Sequence, residues 1–434
     1  MKPIAIDLFC GAGGMSEGII QAGFHIIFSN EISEDASLTY KNRHKQLGLI
    51  QGKNTWLETC DIKDITGKFI RQKISQLEDF KENKHLKIDA IFGGPPCQGF
   101  SRAGQQKTDD IRNFLFSEYL RVVSEVEPGY IIFENVPGIL DIKFHNFISQ
   151  FDGEIYKEKS PLEIIKNELK KIDYNLLDYK ILNAADYGVP QNRHRVILIG
   201  YKNGKKVPSY PQKKSTIVSL QEALGDITGY ATIKKQYQIE AKQGRTPNII
   251  TGESIPSNEI YNNEKSKHYH YIKERFSILR EGESNIQLKK RLMLEGLDIE
   301  NYPSLLHYIS NKLKISEEFI IKKCKNFKDS LDLLEIIVTK KNSRVKMKLD
   351  KPGNTVLTLP DDLILPIYNR ICSVREFARI QSFDDSFVFL GKRTTGGKGR
   401  KNEVPQYSQV GNAVPPLLAK AIAEEIRKAI NDRL

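Results

Sequence analysis

The stretch IAIDLFCGAGG, residues 4–14, decides the fold that the sequence predicts. Its apolar beginning is typical of a short buried strand, and Cys10 to Gly14 forms a glycine turn. Residues 16–22, which follow, have helix character. A strand, a glycine turn and a helix are the first unit of a doubly wound, Rossmann-like α/β sheet that binds a nucleotide. A bare tight turn is the alternative, because a single glycine loop is weak evidence.

Two carboxylates extend this prediction to an adenosine-shaped cleft. Glu31 ends the second predicted strand, about twenty residues beyond the turn, where this architecture binds ribose hydroxyls. Asp61 ends the predicted third strand, a position from which its carboxylate could accept a hydrogen bond from an adenine amino group. A neighbour of a helix N-cap is the alternative role for Glu31.

Composition limits the class of protein. A chain of 434 residues is long enough for two domains, and its net charge of +12 favours a polyanionic partner. The five cysteines contain no Cys-x-x-Cys pair, which argues against a disulfide framework and a zinc site, so no metal is expected. The sequence has neither a signal peptide nor an apolar run of about 18 residues, so we expect a cytoplasmic protein without a membrane span.

The stretch GGPPCQGFS, residues 93–101, holds one cysteine in the open. It follows the apolar run Ile88 to Phe92, which is typical of a buried strand. The two prolines fix the backbone, and the flanking glycines remove side chains from around Cys97. A thiol presented in this way is a candidate nucleophile, and a small buried hydrophobic residue is the alternative.

Charged residues follow or begin two further predicted strands. Glu134 stands directly after the run Tyr130 to Phe133, where partial desolvation favours the protonated form of a carboxyl group and suits a general acid. Arg193 and Arg195 alternate at the start of another strand, so both guanidiniums are predicted to reach one site. The alternatives are a helix cap for Glu134 and a solvated, phosphate-binding pair for the arginines.

These stretches resemble the motifs of the DNA (cytosine-5)-methyltransferase family. The resemblance rests on DLFCGAGG (residues 7–14), PPCQGFS (95–101), FENV (133–136), QNRHR (191–195) and GNAVPP (411–416). It implies a doubly wound, Rossmann-like S-adenosylmethionine-dependent methyltransferase domain and a smaller, mixed target-recognition domain. It further implies that Cys97 attacks the base and that Glu134 protonates cytosine N3. Arg193 and Arg195 would anchor the base and orient the acid.

The resemblance also implies which residues bind S-adenosylmethionine and DNA. In the family the counterpart of Phe9 stacks on the adenine, and Ile32 stands where an aromatic residue is frequent. The predicted cofactor residues are Asp7, Phe9, Gly11, Gly13, Gly14, Glu31, Ile32, Asp61, Ile62, Pro95, Leu115, Asn412, Ala413 and Val414. The predicted DNA contacts are Gln98, Ser101, Arg102, Arg375 and Arg379.

The predicted catalytic domain is discontinuous. The composition shifts at Tyr201 to lysines between prolines and serines, which indicates an exit from the first domain. The resemblance implies that residues 1–200 and 405–434 form the catalytic domain and that residues 201–404 form the target-recognition domain. Basic clusters within residues 340–348 are predicted to contact phosphate or water rather than base edges. Asp384 stands where proline is common in the family.

The predicted function is transfer of a methyl group from S-adenosylmethionine to carbon 5 of cytosine in a specific short sequence of double-stranded DNA. The reaction would proceed by addition of Cys97 to a flipped-out base. We expect a monomer from a bacterial, archaeal or phage host that is the modification enzyme of a restriction-modification system, beside an independently acting endonuclease. A tRNA cytosine-5 methyltransferase and a catalytically inactive DNA-binding homologue stay open as alternatives. The long interval 201–369 disfavours the first, and the presence of Cys97 and Glu134 disfavours the second.

Overall fold

The computed structural model describes residues 2–83, 86–96, 114–230, 235–395 and 403–431. Its strands are β1 (Ile4–Leu8), β2 (His25–Glu31), β3 (Trp56–Thr59), β4 (Ala90–Gly93), β5 (Tyr130–Asn135), β6 (Phe144–Ile148), β7 (Ile155–Lys159), β8 (Tyr174–Leu176), β9 (Lys180–Asn183), β10 (His194–Lys202), β11 (Val345–Lys346), β12 (Leu363–Leu365) and β13 (Arg370–Ile371).

Helices lie between these strands and at the end of the chain. They are α1 (Gly14–Gln21), α2 (Glu34–Gln46), α3 (Gly67–Ser75), α4 (Leu115–Val126), α5 (Pro161–Lys171), α6 (Leu220–Thr228), α7 (Gln236–Gln243), α8 (His270–Ile278), α9 (Asn285–Glu295), α10 (Pro303–Leu313), α11 (Glu317–Cys324), α12 (Leu331–Val338), α13 (Val374–Ile380), α14 (Gln406–Asn412) and α15 (Pro416–Asn431). Within the described residues, no helix is both long and apolar enough to cross a bilayer.

The central sheet confirms the predicted doubly wound α/β fold. Its strand order is β3-β2-β1-β4-β5-β10-β8, and β9 also pairs with β10. The strands from β3 to β5 are parallel, whereas β10 runs antiparallel to β5. The order reverses between β1 and β4, and the loops at such a reversal form the usual ligand crevice of open α/β sheets. The glycine turn after β1 and the cysteine loop after β4 therefore leave the sheet side by side.

Each face of the sheet is covered by helices and has its own core. Apolar residues of α3, α4 and α5, among them Ile70, Leu120 and Ile165, pack on one face. Residues of α1 and α15, such as Ile19 and Ile422, pack on the other face. The C-terminal helix thus packs against the first helix of the chain, because its apolar stripe completes the core that α1 begins.

The interval between the predicted catalytic segments contains two further cores. Helices α8 to α12 form one of them around residues such as Leu292, Ile309 and Ile337. The other combines α6 and α13 with the three-stranded sheet β11-β12-β13, and it also contains Tyr407 and Val410 of α14. This second core includes residues on both sides of residue 404, the predicted end of the target-recognition domain. The predicted domain limits therefore stay a prediction.

Candidate active site

The glycine turn after β1 has the backbone that a ligand-binding turn needs. Gly13 has φ +104°, a conformation that favours glycine, and Phe9 is half-buried with φ +57°. The Glu31 carboxylate accepts hydrogen bonds from the backbone N–H of Gly11 at 2.9 Å and of Ser33 at 2.8 Å. Because Glu31 ends β2, these bonds fix the turn relative to the neighbouring strand.

The same turn borders open space on one side and residues 413–414, near the C-terminal helix α15, on the other. A Cβ built on Gly11 would meet no atom within 4 Å, whereas one on Gly14 would lie 2.5 Å from the carbonyl oxygen of Val414. A ligand therefore has room beside Gly11, and Gly14 permits the close approach of residues 413–414. Asn412, the neighbouring predicted cofactor residue, is exposed. This arrangement fits an adenosine-containing cofactor whose ribose meets Glu31.

The other predicted cofactor residues lie at neighbouring strand and helix ends. Ile32 is 65% exposed, and Leu115 is half-buried at the start of α4. Asp61 accepts a hydrogen bond from Lys63 N at 3.1 Å and so caps a short 3-10 turn, while Ile62 is buried. Pro95 is buried and follows β4 by two residues.

A buried polar chain lies beneath the turn. Ser16 Oγ donates to Asp7 Oδ2 at 2.5 Å, and the Tyr40 hydroxyl lies 3.0 Å from Ser16 Oγ and 2.5 Å from Ser29 Oγ. Asp7 Oδ1 is buried without a partner among the described residues. Burial raises the pKa of Asp7 to about 7, although the Ser16 hydrogen bond opposes this, and the Glu31 charge adds to it.

Glu134 and Arg195 form an ion pair at the carboxyl end of β5. Arg195 Nε lies 2.7 Å from Glu134 Oε1, and both side chains are mostly buried. Residues 196 and 197 pair with residues 135 and 134, so the antiparallel register of β10 brings Arg195 to this end of the sheet. The ion pair orients the carboxylate. A Cβ on Gly94 would lie 2.9 Å from Glu134 Oε2, which puts the carboxylate against the start of the cysteine loop.

The cysteine loop itself begins within the described residues. Asn135 Nδ2 donates to the carbonyl oxygen of Pro95 at 3.2 Å, so the residue after Glu134 holds the loop near the acid. Cys97, together with the predicted DNA contacts Gln98, Ser101 and Arg102, lies outside the described residues. These four assignments stay predictions.

Arg193 is held by backbone carbonyl groups and not by Glu134, so its predicted role in anchoring the base stays a prediction. Its guanidinium donates to the carbonyl oxygens of Val356 at 2.9 Å, Gly411 at 2.8 Å and Ala413 at 3.1 Å. Burial and the nearby Arg195 charge lower the pKa of Arg193, against the effect of Glu134. The two guanidiniums therefore have different partners, because the carbonyls that receive Arg193 come from segments distant in sequence, although the charges of Arg195 and Glu134 are near enough to act on Arg193.

The predicted DNA contacts of Arg375 and Arg379 are corrected by burial. Arg375 is fully buried and donates to three backbone carbonyls, of which Tyr261 O lies at 2.9 Å. Arg379 is also fully buried and binds Asp385 and Asp226. Helix α13 is thus buried, and its arginines bind protein groups instead of lying on a surface that DNA could reach.

The basic cluster at residues 340–348 is also held partly inside the protein. Arg344 and Lys346 are buried, and the guanidinium of Arg344 binds Asp361. Lys341 forms an ion pair with the same aspartate. These cations join the α8 to α12 core to the segment before β12, so the prediction of phosphate or water contact was wrong for Arg344 and Lys346.

Sequence reasoning missed several buried polar residues of the site. Tyr40 lies in the middle of α2, and no pattern marked it as a partner of Ser16 and Ser29. Gln191 belongs to a quoted motif but received no role, and it proves to be hydrogen-bonded to Gln381 at 2.8 Å. Only the position of Gln191 in that motif could have indicated its importance.

Three comparisons relate this arrangement to known proteins. The family model described as C-5 cytosine-specific DNA methylase matches residues 4–428. The chain is 32% identical over 432 residues to the Type II methyltransferase M.DdeI of Desulfomicrobium norvegicum, covering 97% of this chain and 88% of the relative. It is 30% identical over 426 residues to the Type II methyltransferase M1.HphI of Haemophilus parahaemolyticus, covering 98% and 86% respectively.

A solved structure shares the fold. It is a prophage-encoded protein of E. coli described as a DNA modification methyltransferase, with a TM-score of 0.63 and 22% identity over 99% of this chain and 100% of that chain. At this identity the likeness supports the doubly wound fold alone.

Proposed function

The chain belongs to the C-5 cytosine-specific DNA methylase family, and from that premise we propose a covalent mechanism in which Cys97 and Glu134 methylate a cytosine of double-stranded DNA. The observation that carries the proposal is the Glu134–Arg195 ion pair of 2.7 Å, which lies beside the loop leading into Cys97. An oriented acid next to a candidate thiol nucleophile is the arrangement that addition to a pyrimidine ring requires.

Carbon 5 of cytosine is a poor nucleophile, so the ring must first be activated. Addition of the Cys97 thiolate to C6 puts negative charge on the ring, and Glu134 takes up this charge by protonating or hydrogen-bonding N3. Carbon 5 then accepts the methyl group and loses its proton to a base. Elimination of the thiolate from C6 restores the aromatic ring. The thiolate approaches perpendicular to the ring, so the cytosine must leave the base stack at a cost of about a few kcal/mol.

S-adenosylmethionine is the proposed methyl donor, and when bound it supplies an electrophilic methyl group. The residues at the switch between β1 and β4 fit its parts. The Glu31 carboxylate would bind the ribose diol, and Phe9 would contact the adenine. Asn412 and Ala413 would lie at the methionine end, because residues 413–414 approach Gly14 closely.

The DNA substrate is supported by charge and by the relatives. The net charge of +12 gives the protein a positive field that attracts a polyanion. M.DdeI and M1.HphI are Type II methyltransferases, so we propose that this chain is the modification enzyme of a Type II restriction-modification system. A cognate endonuclease would cleave the same DNA sequence independently.

The first experiment is bisulfite sequencing of DNA from a host without its own cytosine methylation, with and without expression of the protein. Protected cytosines in one short sequence are expected, and they identify the recognition site. Cys97→Ala expressed at the same level should leave all cytosines unprotected. Protection of tRNA cytosines instead of DNA would contradict the substrate, and no protection by soluble wild-type protein would contradict the activity.

Purified protein tests the covalent route. On a duplex of the identified sequence carrying 5-fluorocytosine, the wild type should form an adduct stable on a denaturing gel, because fluorine is not lost from C5 as a proton is. Cys97→Ala should form none while still binding the duplex. An adduct with Cys97→Ala would show that another residue is the nucleophile.

A further inference from the structure

Three buried side chains meet where the recognition interval returns to the catalytic domain. Gln191, Arg193 and Gln381 are all buried, and Gln191 Nε2 donates to Gln381 Oε1 at 2.8 Å. Arg193 and Gln381 both donate to the carbonyl oxygen of Ala413, at 3.1 and 3.3 Å. We call Gln191, Arg193 and Gln381 the clasp.

One end of the clasp holds Val356 by both of its backbone polar groups. Val356 N donates to Gln191 Oε1 at 2.8 Å, and Arg193 Nη1 donates to Val356 O at 2.9 Å. The backbone of Asn192 also donates to Gly353 O at 2.8 Å. Residues 353–356, which belong to the predicted recognition interval, are therefore fixed to the start of β10.

The other end of the clasp holds residues 410–413. Gln381 Nε2 donates to Val410 O at 2.8 Å, and Arg193 Nη2 donates to Gly411 O at 2.8 Å. A Cβ on Gly411 would lie 2.5 Å from the carbonyl oxygen of Leu357, so the two segments held by the clasp are in direct contact. The clasp thus joins the start of β10, the end of α13 and both held segments.

The clasp leaves one residue at the held end of α14 exposed, where it can contact a ligand. Asn412 is exposed between Gly411 and Ala413, whose carbonyl oxygens both accept hydrogen bonds from the clasp. We propose that Gln191, Arg193 and Gln381 are positioning residues that fix residues 411–413 beside the glycine turn in the geometry that binds the cofactor. The inference rests on the proposed function, because it takes S-adenosylmethionine as the ligand of that helix end.

The physical reason is preorganisation. The last turn of α14 and its cap residue Ala413 are held by their carbonyl groups before the ligand arrives, so this helix end loses less conformational entropy on binding. Removing a donor leaves a buried carbonyl of the helix end unsatisfied, which favours fraying of that end. The clasp therefore acts on cofactor affinity in the free enzyme, before DNA binds, whereas an arginine that anchors cytosine would act only once DNA is present.

The test is calorimetric binding of S-adenosylhomocysteine to the full-length, DNA-free protein. Gln381→Met keeps the length of the side chain and removes its donors, so we expect at least tenfold weaker binding. Arg193→Lys keeps the positive charge but lacks the two Nη donor groups of the guanidinium, so it should also weaken S-adenosylhomocysteine binding. The matched control is Gln238→Met, which removes a buried amide of α7 that donates to Gln221 O at 3.5 Å. The control should bind as tightly as the wild type.

Steady-state kinetics separates the clasp from a base-anchoring role. In both clasp variants KM for S-adenosylmethionine should rise at least tenfold, while kcat at saturating cofactor changes less than threefold. A fall in kcat with unchanged S-adenosylhomocysteine affinity would overturn the clasp and restore Arg193 as a base anchor. Thermal melting of each variant establishes that it is folded, and if Gln381→Met does not fold, Arg193→Lys carries the comparison.

The two proposals fail in different ways. Wild-type affinity in a folded clasp variant overturns the clasp and leaves the proposed function intact. A wild type that neither binds S-adenosylhomocysteine nor methylates DNA overturns both.

Discussion

The buried carboxyl group of Asp7 should make the stability of the protein depend on pH, and Asp7→Asn should remove that dependence. In the folded chain Asp7 is 1% exposed and its pKa is raised to about 7, above the ordinary value of 3.8. The native state therefore holds a proton that the unfolded chain releases between these two pH values. The contribution of Asp7 to the free energy of unfolding is therefore largest below pH 4 and is lost as the pH rises towards 7.

The size of the effect follows from the pKa difference. About three pH units at about 1.4 kcal/mol each give a loss of about 4 kcal/mol between pH 4 and pH 7, with little change at higher pH. Asp7→Asn keeps an oxygen that can accept from Ser16 Oγ and removes the titration. The difference in unfolding free energy, variant minus wild type, should thus grow by about 4 kcal/mol in favour of the variant across this range.

The assay is urea unfolding at pH 4 and pH 8, followed by the fluorescence of Trp56, the single tryptophan of the chain. The control is Glu424→Gln, because this carboxylate lies on the exposed side of α15, 3.8 Å from Lys420. The control should follow the wild type at both pH values. A variant–wild-type difference for Asp7→Asn that changes by less than about 1 kcal/mol would refute the reasoning, since a raised pKa requires a larger change.

Three further predictions concern the acid, a buried ion cluster and DNA binding. Glu134→Gln should lower kcat about 100-fold or more while DNA affinity, measured by gel shift, stays near that of the wild type, because the amide cannot protonate N3; a change below tenfold would argue against the acid role. Asp384 binds Arg245 Nη1 at 3.0 Å and two backbone N–H groups, so Asp384→Leu should cost about 3–5 kcal/mol in urea unfolding, whereas a cost under about 1 kcal/mol would mean that the cluster relaxes. DNA affinity should fall steeply with salt, and Arg375→Met should leave that salt slope unchanged because Arg375 is fully buried; a shallower slope in the variant would show that Arg375 meets phosphate.

The ion cluster around Asp384 connects distant segments of the chain. Asp384 accepts hydrogen bonds from the backbone N–H groups of Arg245 and Thr246, at 2.6 and 3.1 Å. Thr246 Oγ1 in turn donates to Glu17 of α1 at 2.5 Å. Asp384 therefore connects the segment after α7, through Thr246, to helix α1.

Much of the fold around the candidate site could be predicted from sequence because its signals are local. The run from Ile4 to Gly14 specifies a strand, a turn and a helix by composition alone, and the structure has β1, a left-handed Gly13 and α1 there. Carboxylates that directly follow apolar runs lie at the ends of their strands, as Glu31 and Glu134 do. Parallel strands then bring such ends to one edge of the sheet, so a correct fold class implies their convergence.

Tertiary structure decided the roles of the arginines. Arg193 and Arg195 have the same chemistry and alternate along one stretch, yet one meets carbonyls of residues 356, 411 and 413 and the other meets Glu134. Arg375 and Arg379 were predicted to contact DNA, and both are buried among oxygen acceptors of the protein itself. A guanidinium can be buried only where such acceptors surround it, and these acceptors come from segments up to 220 residues away, so no local pattern reveals them.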